Sequence, residues 1–293
     1  MKILFIINPG SGSVKRNWRL IIEDHFKGSE HLIELFHMPK NCSTDTIRQK
    51  VNDFNPERVV AVGGDGTVKL VATCLLHSDI ILGILPAGSA NGLAKELKIP
   101  EDPSQALDLV LGGEIERIHL LRINDDYCIH LSDIGFNAFM VRKFETGKKR
   151  GRLGYLKASW KAIWENPVMQ LEIKTDTGMI DMSAAMVVLA NATKYGTGAQ
   201  INPNGKLNDD LFEIIIVRKI SIAEIFKMIV SHLPYDTTKT EVIQTSSVNI
   251  HSKRSVHFQV DGEYLNKVSD IHAVIVPNAL RIIRSGERIE AIQ

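Results

Sequence analysis

Residues 59–68 read VVAVGGDGTV, an apolar run that ends in glycines on either side of an aspartate. Its β-branched first half is typical of a buried strand, whereas its glycines disfavour the middle of a helix or a strand. Gly63, Gly64 and Gly66 are therefore expected to be required by the backbone conformation, because glycine allows positive φ and a close approach of other groups. The stretch predicts a buried strand that ends in a tight turn.

The residues on both sides of this stretch repeat one pattern, a short apolar run followed by a segment with helical spacing. In residues 1–120 the runs KILFII, HLIELFHM, RVVAV and IILGIL each precede such a segment. This alternation is typical of βαβ units, whose parallel strands are joined by right-handed crossovers. We therefore expect residues 1–120 to form an α/β domain with a parallel sheet.

Beyond residue 120 the pattern changes to short runs rich in β-branched residues, among them YCIHLSDIGF, MQLEIKT, AMVVLANAT, SVNIHS, SVHFQV and HAVIVP. These runs predict a β-rich, sandwich-like domain over residues 121–280. Two stretches with helical spacing, residues 155–164 and 222–233, interrupt it. The tail, residues 281–293, is a candidate strand that returns to the first domain.

Composition limits the classes of function. The 293-residue chain is long enough for two cores, and its formal net charge of +1 gives no sign of a nucleic-acid partner. Its three cysteines are scattered without paired spacing, which fits a reduced, cytoplasmic compartment. No apolar run approaches the roughly 20 residues that span a bilayer, so membrane contact is expected to be peripheral.

Three glycine-rich turns each follow a predicted strand: NPGSGS at residues 8–13, GGDGT at 63–67 and PAGSANG at 86–92. Because parallel strands end at one side of a sheet, these turns are expected to converge where open α/β sheets bind ligands. Glycines and the free N–H groups of a helix start favour an anion, so together the turns predict a phosphate site. One such turn alone would equally be a structural element. The candidate ligand contacts are Asn8, Gly10, Gly12, Gly63, Gly64, Gly66, Thr67, Gly88, Ser89 and Asn91.

Asp65 is unusual in such a site, because a carboxylate repels phosphate unless a cation lies between them. Magnesium, which prefers hard oxygen ligands, would supply that cation. Thr67 is expected to be the N-cap of the helix that follows. The chain contains neither GxxxxGKS nor GxxxxGKT, which excludes a P-loop nucleotide site.

GGDGT, together with NPGSG and PAGSANGLAKEL, resembles the catalytic domain of the diacylglycerol and sphingosine lipid kinases, particularly their bacterial soluble branch, across nearly the whole chain. GGDGT alone is shared with NAD kinases and phosphofructokinases. The resemblance implies that residues 1–120 bind ATP, that Mg2+ is a second cofactor, and that a lipid hydroxyl accepts the phosphoryl group. It also implies ATP contacts at Asn8, Gly63–Thr67 and Ser89, with Asp65 organising magnesium and the phosphates.

The resemblance places the proton acceptor of such a reaction in HFQVDGEYL, residues 257–265, where it corresponds to Glu263. Asp65 and Glu263 are thus the candidate catalytic residues. Asp261-Gly262 between alternating apolar residues is equally the sequence of a two-residue hairpin turn.

A second metal position is implied by the resemblance of KLNDDL, residues 206–211, to a structural magnesium site of the bacterial branch. The corresponding ligands are the backbone carbonyls of Lys206 and Leu211 and the carboxylate of Asp209. Carbonyl and carboxylate oxygens suit this ion. The same residues would also make an ordinary solvated turn.

The expected partner is a lipid substrate met at the membrane surface, and the sequence leaves a homodimer open. A basic run, Lys148, Lys149, Arg150 and Arg152, precedes the helical stretch with Trp160 and Trp164. This combination is a candidate contact with anionic lipid, although such a run is usually a solvated loop and the helix stripe is equally typical of a core helix.

Two positions depart from the resemblance. Lys69 stands where the diacylglycerol kinases usually have asparagine, and Gly92 stands where many bacterial members have aspartate. These departures concern the acceptor rather than the nucleotide. They make a nucleotide- or lipid-binding protein without catalysis one alternative, and an NAD kinase, which shares GGDGT, is the other.

Overall fold

The computed structural model describes residues 1–12, 16–146, 168–192, 194–195, 199–200, 206–219 and 240–286. The chain divides into two compact units, one of Met1–Ile118 with the chain from Asn278 onward, the other of His119–Pro277. The stretches predicted as helices at residues 155–164 and 222–233, with Trp160 and Trp164, lie outside the described residues. So does the basic run from Lys148 to Arg152.

The first unit contains the predicted parallel sheet, and its strand order is β2-β1-β3-β4. The end of a long strand, β16, adds to β4 in parallel, with Arg281 opposite Ile81. The elements of this unit are β1 (Lys2–Ile7), α1 (Trp18–His25), β2 (Leu32–His37), α2 (Thr44–Phe54), β3 (Arg58–Gly63), α3 (Asp65–Cys74), β4 (Ile81–Pro86), α4 (Gly92–Glu96) and α5 (Pro103–Gly112).

The central strands β3 and β4 are buried along their whole length, which explains why their sequences are continuous apolar runs. Helix α5 was not predicted from the sequence. Its start nevertheless carries local signals, since the Asp102 side chain accepts a hydrogen bond from Gln105 N and Pro103 occupies the first turn.

The second unit is built on antiparallel strands in the order β14-β13-β10-β7-β15-β16, and β8 pairs with β15 and with β9. Strand β5 leads into it from the first unit. The elements are β5 (Glu114–Ile123), β6 (Asp126–Cys128), β7 (Leu131–Gly135), α6 (Phe136–Thr146), β8 (Met169–Thr175), β9 (Met179–Ala184), β10 (Met186–Ala190), β11 (Lys194–Tyr195), β12 (Ala199–Gln200), β13 (Phe212–Val217), β14 (Thr240–Thr245), β15 (Ser247–Val260) and β16 (Glu263–Arg284).

Three sequence runs are organised differently from the prediction. SVNIHS and SVHFQV form one strand, β15, whose pairing with β16 shifts register between His251 and Val256. YCIHLSDIGF divides into β6 and β7, and helix α6 begins directly after Gly135, which has a φ of +94°. Alternating and apolar runs predict strands, but they do not show where a backbone irregularity continues a strand or ends it.

In the described parts of the chain, no helix is both long and apolar enough to cross a bilayer.

Candidate active site

The three glycine-rich turns come together in the first unit, where β1, β3 and β4 end. Asn8 N donates a hydrogen bond to Val62 O at 3.0 Å, which joins the first turn to the end of β3. Ala87 N donates to Gly63 O at 2.9 Å, which joins the third turn to the second. The convergence expected from parallel strands is therefore present.

Asn8 fastens the first turn to helix α3. Its Nδ2 donates to Thr67 Oγ1 at 2.9 Å, and its Oδ1 accepts from Gly10 N at 3.0 Å. The prediction that Thr67 is the helix N-cap is wrong. The chain becomes helical directly after Gly64, so Gly64 is the N-cap, and Thr67 is buried in the first turn with its hydroxyl on Asn8.

Two glycines of the turns are required by close backbone approach. A Cβ at Gly88 would overlap the Cα of Gly64, and a Cβ at Gly12, whose φ is +73°, would overlap the carbonyl oxygen of Ala87. At these two points the turns are in contact through their backbones. The first N–H groups of α3, which a helix leaves without intrahelical partners, begin beside this contact and suit a phosphate.

Replacing Gly88 by Ala is expected to lower the free energy of unfolding by about 1–3 kcal/mol, the usual cost of an inserted group that the surroundings must move to accept. Gly112 is the matched control, because a Cβ there meets nothing within 4 Å. Denaturant unfolding of Gly88→Ala and Gly112→Ala measures both. Equal stability of the two variants would show that the second and third turns do not touch.

Asp65 is the first residue of α3 and is half-buried. Its Oδ1 accepts a hydrogen bond from Leu93 N at 3.2 Å, at the start of α4, so the carboxyl group links the second turn to the third. Gly92, which stands beside Leu93, is buried and carries no carboxylate that could share this role. Lys69 lies one turn further along α3 and is half-buried.

Asn91 shapes the third turn from within. It adopts a left-handed backbone conformation with φ 50°, its Oδ1 accepts from Gly88 N at 2.8 Å, and its Nδ2 donates to Gly88 O at 3.0 Å. Asn tolerates this conformation better than most residues. Ser89, at the tip of the same turn, is exposed.

A cavity of about 220 Å3 opens against the first and third turns. Sequence reasoning did not single out Arg16, Trp18 or Glu101 of its wall. The Arg16 guanidinium lies 5.8 Å from the centroid of the Trp18 ring and donates to Glu101 O at 3.3 Å. A guanidinium suits phosphate oxygens. The signal in the sequence was a basic residue soon after the first glycine turn. The lining residues are Gly12, Arg16, Trp18, Pro86, Ala87, Gly88, Ser89, Asn91 and Glu101.

In the second unit, Asp261-Gly262 is a two-residue hairpin turn. Both residues have positive φ, 52° and 84°, and Val260 pairs with Glu263 across the turn. The Asp261 carboxylate accepts from the backbone N–H groups of Ile129, His130 and Leu131, at 3.1, 2.9 and 3.3 Å. The role of Asp261 is therefore structural, and Glu263 follows it as an exposed residue.

His257 lies near this hairpin and is neutral at physiological pH. Burial, and then the positive charges of Lys267 and Arg142, lower its pKa to about 4. Its Nδ1 is 2.8 Å from the hydroxyl of Tyr264, and its ring is 5.2 Å from that of Phe139. This histidine is therefore not a source of positive charge near Glu263.

The loop before β13 carries the implied metal ligands. Lys206 and Leu211 are exposed, whereas Asp209 is half-buried, and its Oδ1 is a buried atom without a hydrogen-bond partner. The loop is anchored through His119, whose backbone N donates to Leu207 O at 2.6 Å and whose Nε2 is 3.2 Å from Asp210 Oδ1.

A buried oxygen without a donor is costly, and a cation would satisfy it. Over the described residues, no group of three or more His, Cys, Asp and Glu side chains could hold a metal. One carboxylate with backbone carbonyls is thus the donor set that this loop offers, and it fits a hard cation.

Comparison with known proteins identifies both halves of the chain. Residues 2–123 match the family model of the diacylglycerol kinase catalytic domain. Residues 133–284 match the model described as the YegS C-terminal NAD kinase beta sandwich-like domain. The predicted succession of an α/β domain and a β-sandwich domain is confirmed.

Individual relatives agree with these matches. Lipid kinase YegS of Escherichia coli strain K12 is 30% identical over 244 residues, which cover 80% of this chain and 80% of that protein. "Probable lipid kinase YegS-like" of Chromohalobacter salexigens is 30% identical over 248 residues, which cover 80% and 78%. The crystal structure of a diacylglycerol kinase from Bacillus anthracis strain Sterne superposes with a TM-score of 0.76 at 17% identity, covering 97% of each chain.

Proposed function

The chain belongs to the diacylglycerol kinase catalytic-domain family, with YegS-like lipid kinases among its relatives, and we propose that it transfers the γ-phosphate of ATP to a lipid hydroxyl. The acceptor class is a diacylglycerol-like or sphingoid lipid. The observation that supports this most is the contact of three glycine turns around Asp65, beside a cavity with an arginine in its wall.

The first unit would bind the nucleotide. The turns offer backbone N–H groups at the start of α3, and Arg16 offers a guanidinium. These donors would hydrogen-bond to the phosphate oxygens of a triphosphate in place of water. Asp65 would hold Mg2+, and the ion, when bound, neutralises charge on the phosphate oxygens. The geometry fits this role, because Leu93 N fixes the carboxyl group between two turns.

Glu263 would act as the general base. As the lipid hydroxyl oxygen attacks the γ-phosphorus, the O–H proton passes to the Glu263 carboxylate, the new O–P bond forms, and ADP leaves with the electrons of the broken bond. Glu263 is exposed and directly follows a turn whose two residues are fixed by hydrogen bonds, which gives it access to solvent and a defined position.

The direct test is transfer of labelled γ-phosphate from ATP to a chromatographed lipid extract, with diacylglycerol, a sphingoid base and NAD as separate acceptors. We expect labelled lipid from the wild type and none from Asp65→Ala. Labelled NADP instead would make the chain an NAD kinase. NAD is included as an acceptor because the description of the C-terminal domain model names NAD kinase. Nucleotide binding without transfer to any acceptor would leave only a binding protein.

The Asp209 site has its own test, made without nucleotide. Mg2+ is expected to raise the thermal unfolding temperature of the wild type, since ligand at about 100 times its Kd stabilises a protein by about 2.7 kcal/mol. Asp209→Asn should lose this shift, whereas Asp210→Asn, which changes the neighbouring exposed carboxylate, should keep it. The same shift in all three proteins would show that Asp209 holds no cation.

A further inference from the structure

Beneath the hairpin that carries Glu263 lies a buried polar cluster that the proposed chemistry does not use. It consists of Ser132 and Asp133 on β7, Asn137 on α6 and Gln259 on β15. Asp133 is 1% exposed and Gln259 is 0% exposed. Burying a carboxyl group is unfavourable unless hydrogen bonds compensate for the lost water, and the hydrogen bonds of this cluster reach one oxygen of Asp133, Oδ2.

The hydrogen bonds of this cluster lead to the hairpin turn. Asn137 Nδ2 donates to Asp133 Oδ2 at 2.6 Å, and Gln259 Nε2 donates to the same oxygen. At the other end of its amide, Gln259 Oε1 accepts from Gly262 N at 2.7 Å. One side chain thus connects Asp133 to the peptide group that precedes Glu263.

The direction of the Gln259 amide depends on Asp133. Asp133 Oδ2 accepts from both Asn137 and Gln259, so it selects the NH2 end of Gln259, and the carbonyl end is then left for Gly262 N. An asparagine at position 133 can donate as well as accept, and therefore permits both orientations of the Gln259 amide. In the reversed orientation an NH2 group would face the N–H of Gly262, and that hydrogen bond would be lost.

Two independent clamps therefore hold the turn. The Asp261 carboxylate is bound by the backbone of residues 129–131, and the Gly262 N–H is bound by Gln259. The first clamp attaches the hairpin to the chain that leads into β7. The second fixes the peptide plane from which the Glu263 backbone continues, and so the direction in which its side chain leaves the strand.

We propose that Asp133 is a positioning residue for the reaction, which orients Gln259 so that the hairpin presents Glu263 in one conformation. The inference rests on the proposed function of Glu263 as general base. Asp133 itself contacts neither nucleotide nor lipid in this account. A displacement of about 1 Å at a reacting group is enough to lower turnover about 100-fold. A buried residue that only positions Glu263 can therefore change the turnover.

The test compares Asp133→Asn with the exchanged pair Asp133→Asn/Asn137→Asp, which returns a carboxylate to the cluster. Asp133→Asn is expected to lower kcat about 10- to 100-fold with an unchanged KM for ATP, and the exchanged pair should recover most of the loss. Gln259→Met keeps the length of the side chain and removes both ends of the amide, so the same loss of kcat is expected from it. It takes the place of Asp133→Asn in the test if Asp133→Asn folds poorly. Ser132→Ala is the control, because it removes a buried hydrogen bond to Gln259 O and leaves the side-chain connection intact.

A second readout does not depend on catalysis. Amide hydrogen exchange at Gly262, followed by NMR, should accelerate about tenfold in Asp133→Asn and Gln259→Met, the effect of one lost hydrogen bond, and should be unchanged in Ser132→Ala. Equal exchange in Asp133→Asn and wild type, or a kcat loss as large in Ser132→Ala as in Asp133→Asn, would overturn the proposal. If the wild type transfers no phosphate, the proposed function fails, and exchange alone still decides whether Asp133 controls Gly262.

Discussion

Replacing Glu263 by Gln is expected to lower kcat by about 100- to 10,000-fold, the usual contribution of a positioned general base, while the affinity for ATP stays within about twofold. The amide has nearly the shape of the carboxylate but cannot take the proton of an attacking hydroxyl. Because Glu263 is exposed and its neighbours in the turn supply the fixed hydrogen bonds, the substitution should not alter the fold.

Steady-state kinetics with the best lipid acceptor and calorimetric titration of ATP measure the two quantities. Asp270→Asn is the matched control, because Asp270 is another exposed carboxylate of strand β16. A Glu263→Gln variant with wild-type turnover would remove Glu263 from the mechanism. Weakened ATP binding with unchanged kcat would assign it to the nucleotide instead.

Asp65→Asn is expected to lower kcat/KM by about 1,000-fold and to remove the dependence of ATP binding on Mg2+. Asparagine keeps an oxygen that can accept from Leu93 N, so the two turns should remain joined while the charge that holds the cation is lost. Asp65→Ala removes both the charge and the acceptor, and should also lower the stability of the first unit by about 1–3 kcal/mol.

Kinetics as a function of Mg2+ concentration, with denaturant unfolding of both variants, separates these effects. Asp65→Asn should unfold like the wild type and fail in turnover. Normal Mg2+ dependence in Asp65→Asn would mean that other groups hold the ion and that Asp65 is a structural link between the turns.

The parts of the site that follow from chain direction could be predicted from the sequence. Parallel strands end on one side, so NPGSGS, GGDGT and PAGSANG had to approach one another, and the overlap that a Cβ at Gly88 would cause with Gly64 shows how closely they do so. The two-residue turn at Asp261-Gly262 could also be predicted, because its sequence favours the positive φ values that both residues adopt.

Side-chain partners distant in sequence could not be predicted. Asn8 meets Thr67 across 59 positions, and Gln259 meets Asp133 across 126, and neither pairing has a local signal. The N-cap is Gly64 rather than Thr67, because the backbone becomes helical directly after Gly64, and the Thr67 hydroxyl accepts from Asn8 instead. Arg16 follows soon after the first glycine turn, but only the fold brings it to the wall of the cavity.

The central claim is that the glycine turns of the first unit hold a triphosphate together with a cation at Asp65. Calorimetric titration of ATP, ADP and AMP, each with and without Mg2+, tests it most directly. The account predicts affinity that falls from ATP to ADP to AMP, strengthens with Mg2+ for ATP, and loses that strengthening in Asp65→Asn. Equal affinity for the three nucleotides, or binding of ATP that is indifferent to Mg2+ and to Asp65, would contradict it.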